Sequence, residues 1–171
     1  GEERWYGWSV QLPPDFEVRG RSVLLMRLDG GSAPGPVPAS YPVASLALEI
    51  TSEGKALFHL HVPEENGAGA KCQTFALAPD VAAARGQWFD FVLHARWTPG
   101  ADGFVELWTK QHDNNFFQRV DYRGPTWAGR ERGPEFRIGA QVTARGEPEG
   151  KLEAIVWTDE LRVADASGGF D

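Results

Sequence analysis

Apolar and polar residues alternate with a period of two along most of this chain, and helix-length periodicity is absent. The clearest case is the stretch from Gln87 to Trp108. Phe89, Phe91, Leu93, Ala95 and Trp97 fall on one face of a predicted strand, and Trp88, Asp90, Val92, His94 and Arg96 on the other. The run Pro99-Gly100-Ala101-Asp102-Gly103 turns it into a hairpin with the strand that ends at Trp108. The same alternation predicts strands over 4–12, 22–28, 43–50, 55–62, 72–77, 135–142 and 152–163, with 114–122 as strand or loop. Pro13-Pro14 stops the first, and Ser52-Glu53-Gly54 supplies a hairpin turn. Residues 79–85 suit one or two turns of helix stopped by Gly86. Residues 29–42 and 124–134 are loops rich in Gly and Pro. About ten short strands with frequent turns predict an all-β, two-sheet antiparallel sandwich with one short helix at most.

Composition fits that picture. A chain of 171 residues is one domain, 1–171, and its 20 Gly and 12 Pro feed the turns. Strand-like residues begin by Trp5, so an upstream N-terminal segment is expected to be missing. The net charge of −7 argues against a nucleic-acid partner, because phosphate contacts need a basic surface. No apolar run is long enough for a membrane-crossing helix, and no membrane partner is expected. The single cysteine, Cys72, excludes an internal disulfide.

Candidate chemistry gathers on the polar strand faces. His59 and His61 stand two apart and share a side. Such a pair can ligate zinc, or supply a base and a sugar contact, or simply occupy a half-exposed face. A metal needs a third ligand, for which His94 is the candidate, and the expectation is no metal. A structural calcium near Asp102 or Asp159 is compatible with acidic turns but supported by no spacing rule. Asp90, His94 and Arg96 form a polar face that either binds a ligand or carries surface ion pairs. Trp88, Trp108, Trp127, Tyr122 and Tyr6 are candidate sugar platforms, with the core as the alternative for each. Residues 110–119 concentrate amides, a base and cations. No nucleophile-elbow or phosphate-loop motif occurs.

Several segments together resemble the β-jelly-roll polysaccharide lyases that include heparin lyase I and glucuronan lyase. They are Trp5–Pro13, Gln87–Val92, Trp97-Thr98-Pro99, Asp102–Trp108, Phe136-Arg137-Ile138-Gly139 and Trp157–Val163, in the family's order. The resemblance implies a concanavalin A-like sandwich whose concave sheet binds an acidic, uronate-containing polysaccharide, cleaved by β-elimination through a histidine and a tyrosine. Where the family reads like Q-W-H, this chain has Leu25-Met26-Arg27-Leu28-Asp29. Where the family reads like K-x-G-x-Y, it has Arg137-Ile138-Gly139-Ala140-Gln141. Arg137 carries over as a carboxylate or sulfate contact; Gln141 stands where the tyrosine is expected. The expectation is therefore a secreted or periplasmic, monomeric binder of acidic polysaccharide. The alternatives are an active lyase pairing His59, His61 or His94 with Tyr122 or Tyr6, and a lectin-like sandwich. Arg137, Gln141, Arg96, Trp108, Trp88 and Tyr6 are the expected substrate contacts.

Overall fold

The computed structural model describes residues 1–17, 22–29, 46–51, 55–63, 70–77, 85–111, 114–126, 134–143 and 155–167. They form ten strands: β1 (Glu2–Gln11), β2 (Ser22–Asp29), β3 (Leu46–Ile50), β4 (Ala56–Pro63), β5 (Ala70–Leu77), β6 (Trp88–Trp97), β7 (Phe104–Gln111), β8 (Phe117–Arg123), β9 (Glu135–Thr143) and β10 (Trp157–Asp165). Two five-stranded sheets result. Sheet I has the order β10-β1-β6-β7-β8 and sheet II the order β5-β4-β3-β2-β9. All the paired neighbours are antiparallel.

The two-sheet antiparallel architecture matches the alternation in the sequence. The central hairpin places Phe91, Leu93, Ala95 and Trp97 in the core and leaves its polar set outside. The closing strand differs at its start: Ile155 and Val156 precede it, and it begins at Trp157 and runs on to Asp165. The helix expected over 79–85 falls almost wholly outside the described residues, as do most of the loops 29–42 and 124–134.

The core lies between the sheets. Trp8 of sheet I stacks on Phe91 at 5.0 Å between ring centroids and tilts against Phe136 of sheet II at 5.5 Å. Tyr6 stacks on Phe136 at 5.4 Å. Phe58 and Leu60 of β4 and Leu93, Val105 and Leu107 of the opposite sheet are fully buried. With the inner faces taken up by packing, the outward faces of the sheets are what remains for function.

One turn shows how tightly the hairpin end is built. Gly103 accepts Gly124 N–H at 2.9 Å, and a Cβ on Gly103 would stand 2.4 Å from the Gly124 carbonyl oxygen. Only glycine permits that approach of two backbones. Thr126, fully buried, donates its hydroxyl to the Arg96 carbonyl at 2.5 Å and pins the β8 end to β6.

Candidate functional site

The outward face of sheet II carries the first candidate surface. On β4, Phe58 and Leu60 are buried, so the strand alternation sends His59 outward. On β9, Phe136 and Ile138 pack against the core while Arg137 is 61% exposed. β2 needs a different explanation. Val23, Leu25, Met26 and Leu28 are all buried, which breaks the period of two. The ladder shifts register between Leu24 and Met26 against both neighbours. This irregularity lets Leu25 and Met26 both face the core and turns Arg27 outward, on the same side as Leu24. Strict alternation from Leu24 would have aimed Arg27 inward.

The register then aligns these residues across the sheet. Thr74 pairs with His59, His59 with Ala47, Ala47 with Arg27, and Arg27 with Arg137. Two guanidinium side chains therefore stand directly opposite each other on adjacent strands. Like charges so placed repel, unless an anion lies between or beside them. Arg137 pairs with Glu135 at 2.7 Å, with both side chains more than half exposed. Such a pair is worth about 0–1 kcal/mol, and a guanidinium with five N–H donors has capacity beyond one carboxylate. Next to the arginines, Gln141 lies opposite Leu24.

Leu24, Met26, Arg27, Arg137, Gly139 and Gln141 line a shallow depression of about 190 Å³. That is below the ~300–1,000 Å³ of closed ligand pockets, and suits a chain lying across an open sheet. Gly139 has φ 155°, a conformation disfavoured for other residues, and a Cβ there would meet nothing within 4 Å. Its reason is backbone shape at the register shift rather than crowding.

At the far side of the row, His59 Nδ1 lies 3.0 Å from Thr74 Oγ1 and 4.0 Å from the exposed Cys72 Sγ. The backbone of His61 pairs with Cys72.

The outward face of sheet I carries the other candidates. His94 is stacked on Trp5 at 3.8 Å and 6°. Its Nε2 lies 2.8 Å from Glu3 and its Nδ1 3.1 Å from Glu106. Both bonds form at once only when each ring nitrogen carries a proton. Arg96 donates to Glu3 at 2.9 Å and Arg123 to Glu106. The His94 hydrogen bond, followed by Arg96, holds the Glu3 carboxyl below the usual carboxylate range against the opposing effect of burial. Lys110 pairs with Asp90 at 3.0 Å, and Ser9 donates to Asp90 at 2.7 Å. Trp108 stacks on Trp5 at 6.1 Å. This face closes its charges on one another.

The sequence candidates thus divide between opposite faces. His59, Arg137 and Gln141 share sheet II; His94, Arg96, Trp88 and Trp108 share sheet I. Tyr6 is a core residue, 3% exposed, because the alternation of β1 turns it inward, and it offers no open ring face. Burial pushes its phenol up to about 12, and Trp97 Nε1 donates to its oxygen at 3.1 Å. Tyr122, on β8 of sheet I, donates to the Pro125 carbonyl at 3.0 Å, and burial raises its phenol too. Neither tyrosine reaches the face that holds His59, so the expected pairings of His59 with Tyr6 or Tyr122 are not assembled. Trp127 lies outside the described residues. Asp102 pairs with Arg96 at 3.5 Å, and Asp159 accepts the Glu160 N–H at 2.8 Å. No group of three His, Cys, Asp or Glu suited to a metal occurs among the described residues. Arg27 is the site residue the alternation hid, because the register shift that exposes it leaves no mark in the pattern.

Comparison with known proteins bears on this geometry. The model of a family described as polysaccharide lyase matches residues 1–162. Among solved structures, the endo-β-1,4-glucuronan lyase of the fungus Trichoderma reesei superposes with a TM-score of 0.73 at 18% identity, covering 97% of this chain and 69% of that one. The alginate lyase Aly36B, solved as a double mutant with an alginate trisaccharide, gives 0.58 at 12% identity, with 96% and 71% covered. The alginate lyase of Aplysia kurodai gives 0.54 at 15%, with 96% and 70% covered. At these identities the likeness is one of fold, the jelly-roll sandwich. No curated relative matches the chain by sequence.

Proposed function

The chain belongs to the polysaccharide lyase family, and on that premise we propose that it binds an acidic, uronate-containing polysaccharide across the outward face of sheet II. The observation that carries this reading is the direct opposition of Arg27 and Arg137 beside Gln141. A polymer that repeats a carboxylate presents acceptors to both facing guanidiniums at once, through charge-assisted bonds. The described relatives act on glucuronan and alginate, both uronate polymers, which supports the same ligand class. A secreted or periplasmic, monomeric protein fits such a ligand.

We do not assign β-elimination to this face. Removing the C5 proton and protonating the leaving oxygen need a base and an acid at one place. The Gln141 amide does not ionise at neutral pH and can serve as neither acid nor base, and Leu24 faces it. The second reading, an active lyase, rests on His59, which shares the row of Arg27 and Arg137 and is suited to be a base. Two assays separate the readings. Polyglucuronate should bind the wild type and bind Arg137→Ala at least about tenfold more weakly, the loss of one charge-assisted bond. Incubation with polyglucuronate, alginate and heparin should give no rise in the ultraviolet absorbance of unsaturated uronate. A rise that His59→Ala abolishes would establish the lyase instead.

A further inference from the structure

The tryptophans of sheet I divide into three kinds. Trp5 and Trp108 stack within the polar cluster, and Trp8 and Trp97 are buried. Trp88 and Trp157 do neither. Among the described residues, neither ring makes a stacking contact or hydrogen bond, and Trp157 is 46% exposed. The register sets them in one lateral row, since Gln11 pairs with Trp157 on one side and with Trp88 on the other. Val10 and Phe89 pack in the core, so Gln11, Trp88 and Trp157 face outward together. Two strand-to-strand steps separate the tryptophans by about 10 Å between Cα atoms. That is close to the length of a disaccharide unit.

The surroundings suit sugar hydroxyls rather than carboxylates. Gln11 Nε2 donates to the Gly86 carbonyl at 3.0 Å, so an amide stands between the two rings. The next row reads Asp159, Ser9, Asp90, Lys110. Its one cation already pairs with Asp90 at 3.0 Å, which leaves a carboxylate excess. From this we propose that Trp88, Gln11 and Trp157 form a second carbohydrate surface, for a neutral pyranose polysaccharide, on the sheet opposite the acidic-polysaccharide face. It anchors the protein to an uncharged glycan through ring stacking, with hydroxyls meeting the Gln11 amide and the neighbouring carboxylates. It does not rest on the reading of sheet II, and the two fail separately.

The test is calorimetric titration of the full chain with cellohexaose, xylohexaose and mannohexaose, and with polyglucuronate as the contrast. At least one neutral hexasaccharide binds the wild type. Trp88→Ala and Trp157→Ala each weaken it about tenfold, the worth of one aromatic stack. Arg137→Ala leaves that binding unchanged, and both tryptophan variants leave polyglucuronate binding unchanged. Trp88→Phe and Trp157→Phe keep a ring and retain most of the affinity, which separates lost stacking from lost folding. The inference is overturned if no neutral hexasaccharide binds, if binding survives both alanine changes, or if those changes weaken polyglucuronate instead.

Discussion

The outward faces of the two sheets are built from the same alternation and end in opposite electrostatic states. On sheet I, Glu3, His94, Glu106, Arg96 and Arg123 saturate one another, and Lys110 answers Asp90. On sheet II, Arg27 and Arg137 face each other as like charges. The first arrangement rewards the folded chain. The second sets two cations side by side on an open sheet, the face on which we propose the acidic polysaccharide lies. A polar strand face by itself thus says little about binding, and what matters is which charges the neighbouring strands set beside it.

Substitutions can break that contrast, most strongly on sheet I. His94→Ala removes two bonds to carboxylates and the stack on Trp5. It should lower the unfolding free energy by about 2–3 kcal/mol in urea denaturation. A cost as small as that of an exposed residue would mean the cluster is not a structural unit. Gly139→Ala on sheet II should cost less, about 1 kcal/mol, because φ 155° opposes a side chain while the space around it is open. Arg137→Ala should shift unfolding by no more than about 0.5 kcal/mol, since its partner Glu135 is an exposed one. A large loss there would make the arginine structural and weaken its assignment to a ligand.

Acid sharpens the contrast further. The folded state lowers the Glu3 carboxyl from its ordinary 4.5, through the His94 hydrogen bond first. A depressed carboxyl adds stability that is full above the unfolded value and is lost as pH falls through the folded one. The stability of the wild type should therefore drop below about pH 4.5, and Glu3→Gln should flatten that drop while starting from a lower plateau at neutral pH. Melting curves at stepped pH read it. An unchanged acid slope in Glu3→Gln would remove Glu3 from the account.

The strands were legible because alternation is a local signal, and the central hairpin followed it residue by residue. The partners were not. Glu3 and His94 are 91 residues apart, and only sheet pairing brings them together. A reader of the sequence sees His94 and Arg96 as an available polar face because the carboxylates that occupy them lie on another strand. Arg27 was hidden for a different reason: the shift between Leu24 and Met26 reverses its direction without altering the apolar run. The resemblance to polysaccharide lyases drew attention to Arg137 and Gln141 as candidates, since it rests on local motifs.

The central claim is that the acidic polysaccharide lies on sheet II across Arg27 and Arg137. It is tested most directly by titrating polyglucuronate into the wild type, Arg27→Ala, Arg137→Ala and the sheet I control Trp88→Ala, at low and at raised salt. The account predicts that each arginine change weakens binding about tenfold or more, that salt weakens the wild-type complex, and that Trp88→Ala binds as the wild type does. Undiminished binding in both arginine variants, or loss of binding in Trp88→Ala alone, would contradict it.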